Sequence, residues 1–222
     1  MRRSFFIILF IIGVTAFGQS FRPKNLPIIE SKKFHLGYTV GIGVMDYRMS
    51  FNEGHGGGLN VKNAAIFIGM VSDLSITKYT SLRFLPGISF GQRDIRIDNS
   101  TLVPKIETVF VELPLLYKYR AKRHNNFAPY LIGGFNARFD LTGGELVRGR
   151  VAERLVKIFD IYYELGVGFV SYLQNVRVAT ELKFSIGLRN VFSEISTPEY
   201  MDYTMNFNGL YSKIMVLSFH IE

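Results

Sequence analysis

FDIYYELGVGF (Phe159–Phe169) and VRVATELKFSIGL (Val176–Leu188) alternate strictly. In the first, Phe159, Ile161, Tyr163, Leu165, Val167 and Phe169 stand against Asp160, Tyr162, Glu164, Gly166 and Gly168. In the second, Val176, Val178, Thr180, Leu182, Phe184, Ile186 and Leu188 stand against Arg177, Ala179, Glu181, Lys183, Ser185 and Gly187. Successive side chains of a strand face opposite ways, so each run is a long strand with one apolar face and one charged or small face. A bilayer is crossed by about 9–11 strand residues at a tilt, and both runs reach that length. The pattern predicts a transmembrane β-barrel.

The same alternation extends along the chain. Phe34, Leu36, Tyr38, Val40 and Ile42 oppose His35, Gly37, Thr39, Gly41 and Gly43 over a first strand at 34–44. A glycine-bearing loop (Gly54, Gly56, Gly57, Gly58) leads to a second strand at 63–76 and a third at 80–95, where Pro86 should interrupt the ladder. The glycine run lacks the Lys-Ser/Thr of a phosphate loop and reads as a surface loop. A fourth strand (105–120) turns Val109, Val111, Leu113, Leu115, Tyr117 and Tyr119 to lipid and Glu112, Lys118 and Arg120 inward. A fifth follows at 128–141, and an eighth at 210–222 comes after the two opening strands. The insertion 142–157 carries Leu146, Val151 and Leu155 among charges and could hold an amphipathic helix. Connections alternate long and short, as in outer-membrane barrels with short periplasmic turns and longer outer loops. The expected fold is all-β: an eight-stranded antiparallel up-and-down transmembrane barrel with both termini periplasmic.

Arg2-Arg3 before the apolar Phe5–Val14, with Ala16 and Gly18 ahead of Gln19, reads as a secretory signal over 1–18. Residues 19–33 form a periplasmic lead-in and 34–222 the barrel. No wall-binding domain is expected after the last strand. The net charge is +8, of which Arg2 and Arg3 belong to the leader. Basic residues are scattered and form no clustered face, so nucleic acid is not an expected partner. Anionic headgroups of outer-membrane lipid or an acidic partner account for the charge. With no cysteine there are neither disulfides nor thiolate sites.

A soluble lipocalin-like barrel would place its apolar row inside. Strand length, the signal and the loop asymmetry put lipid outside instead. The expected lumen therefore holds Arg83, Arg93, Glu112, Lys118, Arg120, Arg138, Asp140, Asp160, Glu164, Arg177, Glu181 and Lys183. Such charges tolerate burial only when paired, so they read as a salt-bridged plug. Eight strands enclose little more than the room side chains fill, which argues against a protein-sized pore. His35 and His220 should meet at the closure seam on the periplasmic rim. Neither they nor His55 and His124 have metal-ligand spacing. Ser218 and His220 share the inner face without an assignable carboxylate, so catalysis is not expected, and no cofactor is implied. Phe127, Tyr117, Tyr119, Tyr130 and Tyr172 read as interface anchors or rim packing.

The segments FHLGYTVGIGVMDYRM (Phe34–Met49), SLRFLPGISFGQRD (Ser81–Asp94) and FVELPLLYKYRAKRHNNFAPYLIGGFNARFDL (Phe110–Leu141) resemble the PorT/SprT family. The likeness continues through YYELGVGF and ELKFSIGL. Its most specific features are a Leu113-Pro114 strand break and the Asn125-Asn126 turn before Pro129-Tyr130. The ending Phe219-His220-Ile221-Glu222 departs from the terminal aromatic of many outer-membrane barrels. The resemblance implies an outer-membrane barrel of Bacteroidota acting in type IX protein secretion and gliding. Other secretion components would be its partners, and no catalytic residues carry over. A narrow filled barrel would serve as an accessory or assembly factor. The alternative is a generic small barrel with an envelope-structural or small-ligand role.

Overall fold

The computed structural model describes residues 25–26, 32–51, 58–61, 63–97, 105–142, 157–191 and 207–222. At 49–51, 58–61, 92–97, 105–108 and 207–208 it describes the backbone alone. The signal reading, most of the lead-in, His55, the glycine run before Gly58, the proposed helix in 142–157 and the Arg93 side chain lie outside the described residues.

The strands are β1 (Phe34–Phe51), β2 (Gly58–Val61), β3 (Asn63–Ser75), β4 (Thr80–Phe84), β5 (Gly87–Ile97), β6 (Lys105–Arg120), β7 (Phe127–Asp140), β8 (Phe159–Tyr172), β9 (Arg177–Gly187) and β10 (Phe207–Ile221). β2 continues into β3, and β4 into β5, so ten segments build eight walls. Each wall pairs antiparallel with its sequence neighbour, and β1 pairs with both β3 and β10, which closes the sheet. The fold is a closed eight-stranded antiparallel meander.

Register sets the barrel's shape. Passing from each residue to its cross-strand partner gives Val44, Met215, Phe184, Leu165, Gly133, Tyr117, Leu82, Leu74 and Phe34. The circuit returns to β1 ten residues from its start, from Val44 to Phe34. Ten rises of 3.3 Å against eight strand spacings give a tilt of about 41° and a backbone radius of about 8 Å. Side chains from facing walls fill such a cylinder. At that tilt the outward row Phe159–Phe169 spans roughly 25 Å, the height of the apolar band on outer-membrane barrels.

Burial follows the alternation. Leu36, Tyr38, Ile42, Ile68, Phe90, Leu115, Tyr119, Leu131, Phe135, Leu165, Val167, Ile186 and Met215 are exposed on the outside, while charged side chains between them are buried inside. An apolar surface running round all the walls is far beyond what a water-soluble monomer exposes. Aromatic pairs brace neighbouring strands on it: Phe127–Phe169 and Phe139–Phe159, each 5.0 Å between centroids, and Phe135–Tyr163 at 5.7 Å.

Several strand limits differ from the alternation reading. β1 runs on to Phe51, because Met45 and Tyr47 continue the inner row although their neighbours are mixed. The third wall is split at Leu85-Pro86, where proline removes a ladder donor. Register is nevertheless kept across the gap, with Ser72 opposite Phe84 on one side and Gly69 opposite Gly87 on the other. The expected break at Leu113-Pro114 does not occur, and β6 runs through it. The Pro114 carbonyl accepts from Leu85 N–H, so its missing donor faces the wall already interrupted at Pro86. Pro86 itself faces the other way, its carbonyl accepting from Met70 N–H of β3, so the two prolines interrupt opposite sides of the third wall and β6 keeps its ladder with β7.

Candidate functional site

The inner rows of the described walls converge on two ionic clusters packed between apolar ones. Toward the short turns, Arg83 is fully buried. Its Nε and Nη2 donate to the two Asp73 oxygens at 2.6 and 2.8 Å, and its Nη1 donates to Glu181 Oε2 at 2.8 Å. Nη2 also lies 3.3 Å from Glu222 Oε1. Lys118 Nζ donates to Asp73 Oδ2 at 2.7 Å, and Arg177 pairs with Glu222. Tyr130 donates its hydroxyl proton to Glu181 Oε2 at 2.9 Å. Its ring lies 4.5 Å from Lys118 Nζ, a cation–π contact. Three cations therefore meet three carboxylates. Charges taken out of water are tolerable in that form, because each finds an opposite charge and hydrogen-bond partners.

Midway along the barrel a second cluster repeats this balance. Lys183 Nζ lies 2.9 Å from Glu164 Oε2, and Arg138 Nη2 lies 3.0 Å from Glu112 Oε2. Asn136 joins the two carboxylates, its Nδ2 donating to Glu112 at 3.0 Å and to Glu164 at 2.9 Å. Ser185 donates to Glu164 Oε1 at 2.8 Å, and the Arg138 guanidinium stands 4.3 Å from the Tyr162 ring. Apolar side chains pack beside these clusters. Val71, Leu85, Leu116, Ile132 and Val170 form one layer, and Met45, Phe67, Phe110, Tyr162, Ile214 and Val216 another. This interior is a plug.

Glycines make room for it. A Cβ on Gly168 would meet the Tyr130 ring at 2.5 Å, and one on Gly166 would meet Ile132 at 2.9 Å. Small inward residues thus let the cross-strand neighbour lie flat over the backbone, a closer cause than the approach of opposite walls.

Of the inward residues expected from sequence, Arg83, Glu112, Lys118, Arg138, Glu164, Arg177, Glu181 and Lys183 are brought together in these clusters. Arg120 is half-buried at the short-turn rim, donating to the Tyr172 hydroxyl at 2.7 Å. Asp140 and Asp160 point inward near the opposite end, where their Oδ1 atoms accept from Thr142 and from Ile161 N–H. Asp73, Glu222 and Asn136 carry the clusters equally but were not singled out. Asp73 was legible in principle, since Ile66, Ile68, Met70 and Leu74 occupy the other parity. The inner row of β3 is itself apolar at Ala65, Phe67 and Val71, which hides the alternation.

Two expectations need correction. β1 and β10 do form the closure seam, but its register sets His220 opposite Thr39, while His35 lies opposite Asp73 in the β1–β3 ladder. The two histidines are four residues apart along the seam, roughly 13 Å. The barrel's stagger separates them, and His220 turns to Glu181 at 3.4 Å. Of the aromatics read as interface anchors or rim packing, Phe127, Tyr117 and Tyr119 are on the outer face and Tyr172 packs against Arg120 and Arg123 at the short-turn rim, whereas Tyr130 is buried inside the barrel and is not an interface anchor.

At the short-turn end the chain before β1 is tied to the turns. Asn25 N–H donates to Asn126 Oδ1 at 2.9 Å, and Asn25 Nδ2 donates to the Tyr172 carbonyl at 3.1 Å. Arg123 donates to the Asn25 carbonyl at 2.6 Å and lies 3.8 Å from the Tyr172 ring. Asn125, with φ 52°, supplies the left-handed residue that this turn needs.

No curated protein matches the chain. Among solved structures it is similar to OprG of Pseudomonas aeruginosa, with 12% identity over 86% of this chain and 95% of that one and a TM-score of 0.47. Neisserial surface protein A gives 9% identity over 86% and 99%, with a TM-score of 0.45. The N-terminal β-barrel domain of Pseudomonas aeruginosa OprF gives 12% over 82% and 96%, with a TM-score of 0.36. The profile of the outer membrane protein beta-barrel domain family matches residues 17–193. This is an outer-membrane β-barrel protein, and the chain belongs to that family.

Proposed function

We propose that this barrel serves type IX protein secretion as an accessory or assembly factor and is not the protein-conducting channel. The filled, charge-balanced interior supports the second half of that reading. A cylinder of this radius, packed with Arg83, Tyr130, Arg138 and Tyr162, has no path for a polypeptide. What remains for recognition is the two rims and the long connections. The sequence resemblance to PorT/SprT supports the first half. On this reading the short turns face the periplasm and the long connections the exterior.

A strain lacking the gene tests the assignment. Type IX cargo should accumulate inside the cell and reappear outside on complementation. Normal export in the deletion strain would instead favour an envelope-structural or ligand-binding small barrel.

A further inference from the structure

The short-turn mouth holds a polar cleft of about 340 Å³, counting the part open to solvent. His35, Asp73, Ser75, Lys78, Ser81, Lys118, Arg120 and Arg177 line it, with Thr77, Tyr79 and Thr80 of the turn. Most of these belong to the inner rows, so the cleft opens along the barrel axis and away from the lipid face. Beneath it the lower ionic cluster is neutral, with Arg83, Lys118 and Arg177 against Asp73, Glu181 and Glu222. The charges of Arg120 and Lys78 come in addition. Arg120 bonds only neutral oxygens among the described residues, the Tyr172 hydroxyl at 2.7 Å and the Lys78 carbonyl at 3.4 Å. Lys78 is exposed, 5.9 Å from the Tyr79 ring. Among the described residues the Nε–H of Arg177, although buried, makes no hydrogen bond. A buried guanidinium N–H without an acceptor is costly and is satisfied by whatever oxygen enters.

From this placement we infer an oxyanion site at the short-turn mouth, for the phosphate or carboxylate group of a soluble molecule. Arg120 and Lys78 supply the excess charge, Arg177 an inward donor, and the Thr77–Thr80 turn a hydroxyl rim. Guanidinium forks suit such groups, and a recessed mouth strengthens the attraction relative to open solvent. The site does not depend on the secretion assignment.

The full barrel, folded in zwitterionic phosphatidylcholine nanodiscs, would be titrated with inorganic phosphate and then pyrophosphate. Backbone amide resonances of 75–81 and 118–121 report binding. Saturable shifts confined to these turns are expected, at least tenfold weaker in both Arg120→Gln and Lys78→Gln and weakened by added salt. Both changes lie at the rim, and retention of the heat-modifiable gel shift confirms that each variant is folded. Absent saturation, or equal affinity in the Arg120→Gln protein, would overturn the site. Shifts seen with phosphatidylglycerol nanodiscs but with neither soluble anion would overturn the soluble ligand.

Discussion

Replacing Arg83 with Met would leave Asp73, Glu181 and Glu222 facing one another without their shared cation. Removing one partner of a buried ionic group costs about 3–5 kcal/mol, because the remaining charge cannot regain water. Arg83→Met should therefore lower the unfolding free energy, read from urea titration of the folded, heat-modifiable form, by that amount. Arg120→Met at the half-exposed rim should move it by less than about 1 kcal/mol. Glycines give a second contrast. A Cβ on Gly134 would run into the Leu115 carbonyl and lie 2.9 Å from Leu116 Cα, both backbone, whereas on Gly91 its nearest atom is Met45 Sδ at 2.9 Å. Backbone cannot yield and a methionine end can, so Gly134→Ala should cost about 1–3 kcal/mol and Gly91→Ala under about 1 kcal/mol in the same unfolding assay.

Each strand divides its residues between two solvents. On β8 the outer row Tyr163, Leu165 and Val167 is exposed, while Tyr162, Glu164 and Gly166 are buried. A charge on the outer row should cost most at mid-strand and least at the rim. Leu165→Arg should destabilise the folded barrel in bilayers by about 2–4 kcal/mol and Tyr119→Arg by about 0–1 kcal/mol. Equal costs would mean that lipid does not cover this wall. Pro86 and Pro114 show the same logic in the ladder. Pro114 lacks its donor toward the third wall and Pro86 toward β3, and each ladder keeps its register on either side of the interruption.

Closure is a property of the whole chain. The ten-residue stagger sets tilt and radius together, and the radius leaves a lumen that side chains fill. In planar bilayers the folded protein should show no steady conductance, and vesicles containing it should not swell in sugar solutions. A stable open channel in either measurement would contradict the plug of Glu112, Asn136, Arg138, Glu164 and Lys183.

Much of this was legible in the residues. Alternation in Phe159–Leu188 and Lys105–Arg120 reveals strands, faces and strand number, because a strand's side chains have a period of two whatever surrounds them. The bilayer then selects the apolar row for the outside. Which inward charges meet was not legible. Pairs such as Arg83–Glu181 join walls that are not neighbours and depend on register summed round the barrel, while the β1–β10 register alone sets His220 away from His35 and leaves it beside Glu181 of β9. Asp73 stayed hidden because both faces of β3 are largely apolar. Local chemistry thus determined a lipid-facing barrel, while only closure with its stagger decided the charge pairs and the cationic mouth.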